Sequence, residues 1–296
     1  MSIEGSITAL VTPMNEKGDL DYNSLEKLIN FQIDSGISGL VAVGTTGESA
    51  TIDFEDHIKL IEFFIKISNG RVHIIAGTGA NSTEEALHLT REAKNLGADA
   101  ALLVSPYYNK PPQEGIYRHH AKIADEVDIP QILYNVPSRT ASFIEPETVQ
   151  RLSSHQNIMG IKDATGDMKN LSEVLKLCKE DIKSKNFFLY SGDDFSSLEF
   201  LKNGGHGTIS VTSNVVPEII SEICLNVKND FSRAKQLDDQ IKELNQNLFC
   251  ESNPIPVKWA LQQMGLIKSG IRLPLVELND LFKESVKNSL EELNLI

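Results

Sequence analysis

Residues 72–104 have the sequence VHIIAGTGANSTEEALHLTREAKNLGADAALLV, which contains the repeating unit of the fold. The stretch begins and ends with short apolar runs, 72–76 and 100–104, of the length typical of buried strands. Between them, apolar residues recur at helical spacing. Ser82 is suited to cap the start of this helix and Gly97 to end it. The stretch therefore predicts a strand, a helix and a second, parallel strand.

The same alternation runs through most of the chain. Apolar runs recur at intervals of roughly 20 to 33 residues, which leaves room for one crossover helix each. The runs are 6–11, 40–43, 72–76, 100–104, 131–134, 159–162, 187–190 and 208–211. Eight such units predict an α/β fold, a closed (β/α)8 TIM barrel. The alternative is an open doubly wound sheet, but that fold usually has fewer strands, and no GxGxxG follows the first run.

The last part of the chain has a different pattern. From Pro217 onward no further strand is indicated, and four apolar residues are spaced as on one face of a helix. These residues are Leu237, Ile241, Leu244 and Leu248. We therefore expect the catalytic barrel at residues 1–225 and a helical C-terminal region at 226–296.

Composition narrows the class of protein. The chain has 296 residues, of which 28 are Lys or Arg and 41 are Asp or Glu. The resulting net charge of −13 disfavours binding to nucleic acids or to anionic membranes. Cys178, Cys224 and Cys250 are odd in number and form no CxxC pair, so we expect free thiols. The N-terminus lacks the basic start of a secretory signal, and no run approaches about 20 apolar residues. These features predict a cytoplasmic protein.

Lys162 is the most informative single residue. In a (β/α)8 barrel the active site lies at the carboxyl ends of the strands, and Lys162 ends the sixth apolar run. Removal from water disfavours the charged form of an amine, and a neutral amine attacks carbonyl carbon to form a Schiff base. The alternative is that Lys162 reaches solvent from the strand end or pairs with Asp163.

Polar residues follow the neighbouring strands. Tyr134 ends the strand next to that of Lys162, and its phenol is suited to move protons during Schiff-base formation. Thr45 and Thr46 follow the second strand in a glycine-rich turn that is suited to hold a carboxylate or relay a proton. A buried structural tyrosine and a simple turn of small residues are the alternative interpretations.

Two loops add further candidates. Arg139 follows Tyr134, and its planar guanidinium suits a substrate carboxylate, although a surface arginine is the alternative. Tyr107 and Tyr108 lie on a loop next to a proline, where they are suited to close a pocket or to reach a subunit contact.

The sequence offers little support for a metal site. Its histidines form no HExxH pair and no ligand spacing with the cysteines. His119 and His120 are expected on a helix surface, and His206 is expected in a tight turn before the last strand. The pair Asp193 and Asp194 is expected to cap a helix. No Walker loop and no GxSxG motif are found.

Three motifs at the predicted strand ends resemble those of the dihydrodipicolinate synthase and N-acetylneuraminate lyase superfamily. They are GTTGE at 44–48, YNVP at 134–137 and GIKDATG at 160–166. The likeness runs essentially end to end and includes NPIPVKW at 253–259 in the helical tail.

Within the superfamily the chain resembles the dihydrodipicolinate synthases. The discriminating residues are the paired Thr45 and Thr46 together with Arg139. Sialic acid lyases usually carry Ser-Thr in the first motif and lack that arginine.

The resemblance implies a class I aldolase-type condensation in the synthesis of lysine and diaminopimelate. Lys162 would form the Schiff base with pyruvate, and Tyr134 would donate and accept protons. Thr45 and Tyr108 would complete a proton relay, with Tyr108 supplied by a neighbouring subunit. No metal or organic cofactor is implied, and family members are usually homotetramers.

The resemblance also implies how substrates bind. Thr46 would bind the pyruvate carboxylate, and the main-chain carbonyl of Ile209 would line the pyruvate pocket. Arg139 would bind the carboxylate of aspartate 4-semialdehyde.

A regulatory site is implied for lysine, which inhibits some family members at a subunit interface. The matching positions are Ser49, Ala50, His57, Asn81, Glu85 and Tyr107. His57 and Glu85 are suited to hold the charged ends of lysine. Phe54 stands where inhibited members often have a histidine, and Glu85 also has the spacing of a capping box with Ser82.

Two other functions are compatible with the sequence. One is another pyruvate-dependent aldolase, such as N-acetylneuraminate lyase or a 2-keto-3-deoxy-sugar-acid aldolase, from which Arg139 is expected to separate this chain. The other is a non-catalytic binding protein on the same barrel, but Lys162 and Tyr134 would then have no reason to be present together.

Overall fold

The computed structural model describes residues 3–296, and its centre is a closed barrel of parallel strands. The strands follow one another in chain order, and the last pairs with the first. They are β1 Gly5–Ala9, β2 Gly39–Ala42, β3 His73–Gly77, β4 Ala100–Val104, β5 Gln131–Asn135, β6 Ile158–Asp163, β7 Phe188–Ser191 and β8 Gly207–Ser210. The predicted (β/α)8 barrel is confirmed, and strand bounds differ from prediction by at most two residues.

Helices surround the barrel and continue beyond it. They are α1 Tyr22–Asp34, α2 Phe54–Ser68, α3 Thr83–Leu96, α4 Gln113–Glu126, α5 Pro137–Thr140, α6 Pro146–Ser153, α7 Met168–Leu177, α8 Lys179–Lys183, α9 Ser197–Lys202, α10 Pro217–Asn226, α11 Phe231–Gln240, α12 Lys242–Asn247, α13 Ile255–Gln263 and α14 Asp280–Glu292. A short 3-10 turn, Thr212–Asn214, follows β8. Within residues 3–296, none of the helices combines the length and apolarity needed to cross a membrane.

Local sequence sets several helix ends. Asp21, Asp53 and Ser82 cap α1, α2 and α3, each through a side-chain oxygen that accepts from the main-chain N–H three residues further on. Gly97 ends α3 with a φ of +92°, a conformation that glycine adopts without steric cost. Ser82 and Gly97 therefore have the roles predicted for them.

Apolar side chains fill the interior of the barrel. They include Ile7, Val41, Ile75, Leu102, Ile132, Met159, Phe188 and Ile209. Tyr190 joins them, fully buried, and its hydroxyl donates to the Ile3 carbonyl at 2.8 Å. A Cβ at Gly160 or Gly207 would lie 3.1 or 3.3 Å from the Tyr190 ring, so these glycines leave it room. The packed interior leaves the strand ends as the place for a ligand.

The C-terminal helices share one hydrophobic core with the helices around the barrel. Leu237, Leu244, Leu248, Val257, Leu261 and Leu290 belong to the same buried cluster as Leu28 of α1 and Ile220 of α10. The predicted helical C-terminal part is confirmed. The division at residues 225 and 226 stays a prediction, because α11–α14 are packed into this common core.

His119 and His120 are buried, so the expectation of a surface position was wrong. Both lie on the inner face of α4, which carries the buried residues Ile116, His119, His120, Ile123 and Ala124. Their spacing is that of one helical face. His119 Nδ1 is 2.9 Å from Thr83 Oγ1, and the two imidazole rings meet edge to face at 4.9 Å. Neither nitrogen of His120 has a partner in the described chain.

These two histidines predict acid sensitivity of the fold. Burial lowers the pKa of His119 to about 4, and burial lowers the pKa of His120 well below 6.5. The unfolded chain binds these protons near pH 6.5, so stability is lost as pH falls below 6.5, by about 1.4 kcal/mol per histidine per pH unit. We expect His120→Leu to reduce the drop in melting temperature between pH 7.5 and 5.5.

His120→Asn is the matched control, since it keeps a polar side chain there but cannot titrate. It should show the same shallower pH dependence as His120→Leu, at a lower overall stability. A pH dependence that both variants share with the unmodified protein would contradict this account.

Asp193 and Asp194 have different roles, and neither is the N-cap of α9. That position belongs to Ser196, whose N–H and hydroxyl donate to Asp193 Oδ2. Asp194 Oδ2 instead accepts from the N–H groups of Val211 and Thr212, at 2.9 and 3.0 Å. Burial raises the pKa of the Asp194 carboxyl. The capping expectation was wrong for Asp194, because its donors come from the turn after β8. Asp193 accepts from the N–H of Ser196, which is itself the N-cap residue, and so binds the turn just before α9 rather than its first turn.

Candidate active site

Lys162 lies on β6, between Tyr134 of β5 and Tyr190 of β7. Both neighbours are its direct register partners. The residue is only 5% exposed, and its Nζ lies 4.3 Å from the centroid of the Tyr134 ring. The convergence of amine and phenol expected from the sequence is therefore present at the strand ends.

Asp163 does not pair with Lys162. Successive residues of a strand point to opposite faces, and Asp163 accepts from Asn170 Nδ2 at 2.6 Å and from the Thr165 N–H at 3.0 Å. Burial raises the pKa of the Asp163 carboxyl, and these hydrogen bonds oppose that shift. Within residues 3–296, Lys162 has neither a hydrogen bond nor an ion pair to a carboxylate, so its amine is left available for chemistry.

Gly192, which follows β7, makes room for the lysine. A Cβ at this position would lie 2.7 Å from Lys162 Cε and 3.0 Å from Lys162 Cγ. The missing side chain lets the lysine stem pass along the end of β7. Sequence reasoning did not single out Gly192, since only the packing shows what a side chain there would meet.

The GTTGE loop, residues 44–48, follows β2 and brings hydroxyl groups to the same end of the barrel. Thr46 is buried, and its Oγ1 accepts from Asn253 Nδ2 at 3.0 Å. Thr45 is partly exposed, and its main-chain carbonyl accepts from the Glu48 N–H at 3.1 Å. The loop is tight, with a left-handed φ of +62° at Glu48.

The C-terminal helical part of the chain, residues 226–296, here called the tail, holds this loop through a buried ion pair. Glu48 Oε1 pairs with Lys258 Nζ of α13, and both side chains are buried. Lys258 Nζ also donates to the Thr12 carbonyl at 3.1 Å, and Glu48 Oε2 accepts from the Arg272 N–H at 3.1 Å. Burial lowers the pKa of the Lys258 amine, and the Glu48 carboxylate opposes that shift.

Sequence reasoning did not identify this pair. The available signal was a lysine inside an apolar helical stretch, the same kind of signal that singled out Lys162. The partners are 210 positions apart in the sequence, so no local spacing connects them.

Arg139 lies in α5, directly after β5, and its side chain reaches the tail. Its Nη2 donates to the main-chain carbonyl of Asn253 at 3.3 Å. Arg139 lines the same cavity as Thr45 and Asn253. The loop before α13 is thus part of this site, which the sequence did not predict beyond its resemblance to the family motif.

The cavity, of about 450 Å³, extends outward from the strand ends. Thr45, Val136 and Arg139 line it, whereas Lys162 and Tyr134 do not. Five of the six positions expected to bind lysine also line it: Ser49, Ala50, His57, Glu85 and Tyr107. The sixth, Asn81, lies outside the lining, and its main-chain carbonyl accepts from Asn109 Nδ2 at 3.0 Å. Thr45 and Arg139 therefore share one cavity with five of the regulatory candidates.

The regulatory candidates differ in charge. His57 is buried, and its Nε2 donates to the Gly77 carbonyl at 2.8 Å. Burial lowers the pKa of His57, so the ring is neutral at pH 7. Burial raises the pKa of Tyr107, and the Glu85 carboxylate adds to that shift. Glu85 is thus the anionic group of the set, close enough to affect Tyr107.

Tyr108 points away from the site within this chain. It is 88% exposed and has a φ of +75°, which is rare for a bulky residue. Its N–H donates to the Thr140 carbonyl at 3.2 Å. A large aromatic side chain held out in this way is typical of a contact with another chain.

Ile209 lies on β8, with its side chain buried in the barrel interior. The pairing between β7 and β8 ends at Thr208, so Ile209 lies just beyond it. His206 lies in the turn before β8, as predicted, and its Nδ1 accepts from the Leu189 N–H at 3.0 Å. No cluster of His, Cys, Asp or Glu in the described chain is suited to hold a metal ion.

Fold and strand-end geometry define a (β/α)8-barrel enzyme whose chemical groups are a lysine amine and a tyrosine phenol. The model of the dihydrodipicolinate synthetase family matches residues 2–293, and the chain belongs to that family.

Individual relatives agree with this assignment. The chain is 50% identical over 295 residues to the 4-hydroxy-tetrahydrodipicolinate synthase of Alcanivorax borkumensis, covering 99% of each chain. The dihydrodipicolinate synthase of Acinetobacter baumannii, solved with pyruvate, has a TM-score of 0.96 at 50% identity and full coverage of both chains. The enzyme of Cyanidioschyzon merolae, solved with lysine bound, has a TM-score of 0.94 at 34% identity, covering 99% of each chain.

Proposed function

We propose that this protein is a lyase that condenses pyruvate with L-aspartate 4-semialdehyde to give 4-hydroxy-tetrahydrodipicolinate, in lysine and diaminopimelate synthesis. The observation that carries the proposal is the buried Lys162 amine beside the Tyr134 ring, in a chain about half identical to synthases of that name. Free Cys178, Cys224 and Cys250 fit the cytoplasm as its compartment.

The chemistry begins at Lys162. Its amine adds to the C2 ketone of pyruvate, and loss of water gives the imine. Loss of a proton from C3 then gives an enamine, which attacks the aldehyde carbon of the semialdehyde. The amino group of the semialdehyde then attacks the imine carbon and displaces the Lys162 amine, which closes the ring of the product and frees the enzyme. Tyr134 would transfer these protons, with Thr45 and a neighbouring subunit's copy of Tyr108 as the relay. The imine itself serves as electron sink, so the scheme uses no metal or organic cofactor.

Two donors account for the two carboxylates. Thr46, buried at the base of the GTTGE loop, is the proposed donor to pyruvate, with the Ile209 carbonyl as another wall of that pocket. Arg139 lines the cavity and is the proposed donor to the semialdehyde, since its planar guanidinium matches a carboxylate.

The deciding experiment offers pyruvate with three acceptors in parallel: aspartate semialdehyde, N-acetylmannosamine and glyceraldehyde. Rapid pyruvate consumption with the semialdehyde alone is expected. Preference for a sugar aldehyde would keep the lysine chemistry but make the protein another pyruvate-dependent aldolase. Arg139→Ala should then separate the two steps, with loss of semialdehyde use and an intact pyruvate Schiff base.

Gly192→Ala is predicted to impair catalysis by displacing Lys162. A misplacement of about 1 Å costs roughly 100-fold in rate, so kcat/KM for pyruvate should fall by about that factor. Gly115→Ala, a glycine at the start of α4, is the control and should leave kcat/KM unchanged. An unaltered Gly192→Ala enzyme would show that the lysine stem does not need this space.

Tyr108 is proposed to act in the active site of a neighbouring subunit of a homotetramer. Mixing inactive Lys162→Ala subunits with Tyr108→Phe subunits should then restore activity, because each hybrid pair contains one complete site. Reassembly from mild denaturant and an assay of pyruvate consumption test this. Sedimentation would report the assembly, and failure of stably assembled hybrids to regain activity would place Tyr108 outside the relay.

Lysine is proposed as an inhibitor that binds in the outer part of the cavity. Glu85 would pair with an ammonium of lysine, while the neutral His57 ring would accept a hydrogen bond at Nδ1. Millimolar lysine should lower the initial rate of the unmodified protein, and Glu85→Gln should remove that effect. An unchanged rate at millimolar lysine would rule the site out.

A further inference from the structure

Asn253 connects two parts of the proposed active site. It lies in the loop between α12 and α13, and it is buried. Its side-chain Nδ2 donates to Thr46 Oγ1 at 3.0 Å, while its main-chain carbonyl accepts from Arg139 Nη2 at 3.3 Å. One residue of the tail therefore contacts the proposed donors to both substrate carboxylates.

The Asn253 amide determines whether the Thr46 hydroxyl acts as a donor or an acceptor toward other groups. A hydroxyl group has one proton to donate and two lone pairs to accept with. Because Asn253 Nδ2 occupies a lone pair of Thr46 Oγ1, the hydroxyl proton is left to donate elsewhere. Within residues 3–296, that proton has no protein acceptor, so it is free for a carboxylate.

We infer that Asn253 is a positioning residue that aims the Thr46 hydroxyl proton at the pyruvate carboxylate. This inference rests on the proposed function, because it needs pyruvate in that subsite. It adds to that function a polar contact from the C-terminal region, outside the strand-end loops.

The rest of the amide has no other evident task. Asn253 Oδ1 is buried without a hydrogen-bond partner in the described chain. Burying an unpaired acceptor is unfavourable, so this amide has a cost to the fold. Its contact with Thr46 is the one side-chain hydrogen bond that it makes in the described chain. The loop is held in place by the buried pair of Lys258 and Glu48, which fixes the tail against the GTTGE loop.

Two variants test the inference. Asn253→Asp has the same shape but presents only acceptors, so it would take the Thr46 proton and bring negative charge toward pyruvate. Its KM for pyruvate is expected to rise about 100-fold, and that of Asn253→Ala about tenfold, the equivalent of one hydrogen bond. In both, kcat should change by less than about threefold, since Lys162 and Tyr134 are untouched.

The semialdehyde provides an internal comparison. Arg139 contacts the main-chain carbonyl of residue 253, which remains in every variant. The KM for the semialdehyde should therefore change less than that for pyruvate. A larger effect on the semialdehyde would overturn the inference in favour of a role through Arg139.

A double variant at Asn253 and Thr46 tests most directly whether Asn253 acts through the Thr46 hydroxyl. Thr46→Val removes the hydroxyl, so adding Asn253→Ala to it should cause no further rise in pyruvate KM. Additive effects would show that Asn253 acts independently of Thr46, against the inference. This cycle also applies if Asn253→Ala alone is poorly stable, because Asn253→Leu, which has a similar volume but neither a hydrogen-bonding group nor a charge, can replace it.

Asn247→Ala is the matched control. Asn247 Nδ2 donates to Ser289 Oγ at 2.6 Å, the same kind of contact, but within the tail. It should lower stability without changing pyruvate KM. Trapping of pyruvate by borohydride in the unmodified protein distinguishes a failure of the proposed function from a failure of this inference. If no pyruvate is trapped, the proposed function is refuted. If pyruvate is trapped but Asn253→Asp has an unchanged pyruvate KM, only this inference is refuted.

Discussion

Lys162→Met is expected to abolish turnover while raising the melting temperature. Loss of the nucleophile should reduce kcat/KM on the order of 10⁴-fold, about 5 kcal/mol of transition-state stabilisation. The Lys162 side chain is 5% exposed and has no ion pair in the described chain, and taking a charged group out of water without a counter-charge is unfavourable. Methionine has a similar length and no such cost, so stability should increase. Pyruvate consumption and thermal unfolding measure the two effects.

Borohydride trapping of the imine tests whether the Lys162 amine is the nucleophile. With pyruvate and borohydride, the unmodified protein should gain one reduced adduct on Lys162, and Lys162→Met should gain none. Tyr134→Phe is the comparison, because it keeps the ring beside the amine but lacks the phenolic proton. It should still form the adduct while turnover falls by roughly 10²- to 10³-fold. A Lys162→Met protein that is less stable yet active would assign the lysine a structural role.

The spacing of apolar residues was sufficient to predict the barrel, because each strand and helix is determined by residues close together in the sequence. Strand runs and helical faces are set by neighbouring residues, and caps such as Ser82 and Gly97 mark their ends. Parallel strands in chain order also bring all strand ends to one side, so Lys162 and Tyr134 could be placed together from sequence alone. Their 4.3 Å separation agrees with that prediction.

Contacts with the tail could not be predicted in the same way. Thr46 and Asn253 are 207 positions apart, and their contact depends on how α13 docks on the GTTGE loop. The role of Gly192 likewise depends on the path of a lysine from a neighbouring strand. Such contacts are tertiary, and local spacing contains no information about them.

The error at His119 and His120 has a different origin. Their burial was readable from the sequence, because Ile116 and Ile123 have the spacing that puts both histidines on the apolar face. The expectation of a surface position followed from the polar side chains of the two histidines and not from their place on the helix. A histidine keeps a neutral form near pH 7, so a helix can bury it more easily than a lysine.

Lys258→Met is the second variant with a large expected effect. It would leave the Glu48 carboxylate buried without its counter-charge, which typically costs about 3–5 kcal/mol of folding free energy. The GTTGE loop is anchored through Glu48, so Thr45 and Thr46 should also lose their positions and kcat/KM should fall. Denaturant unfolding and steady-state kinetics measure both losses.

The matched control is Lys235→Met, which removes an exposed pair with Asp239 whose atoms are 2.8 Å apart. Exposed pairs contribute less than about 1 kcal/mol, so this variant should be nearly neutral. Glu48→Gln combined with Lys258→Met should recover part of the stability, because no unpaired charge then remains buried. Equal losses from the two lysine variants would mean that the buried pair does not anchor the loop. A double variant that regains stability but not activity would instead show that the charges themselves hold the GTTGE loop in its active shape.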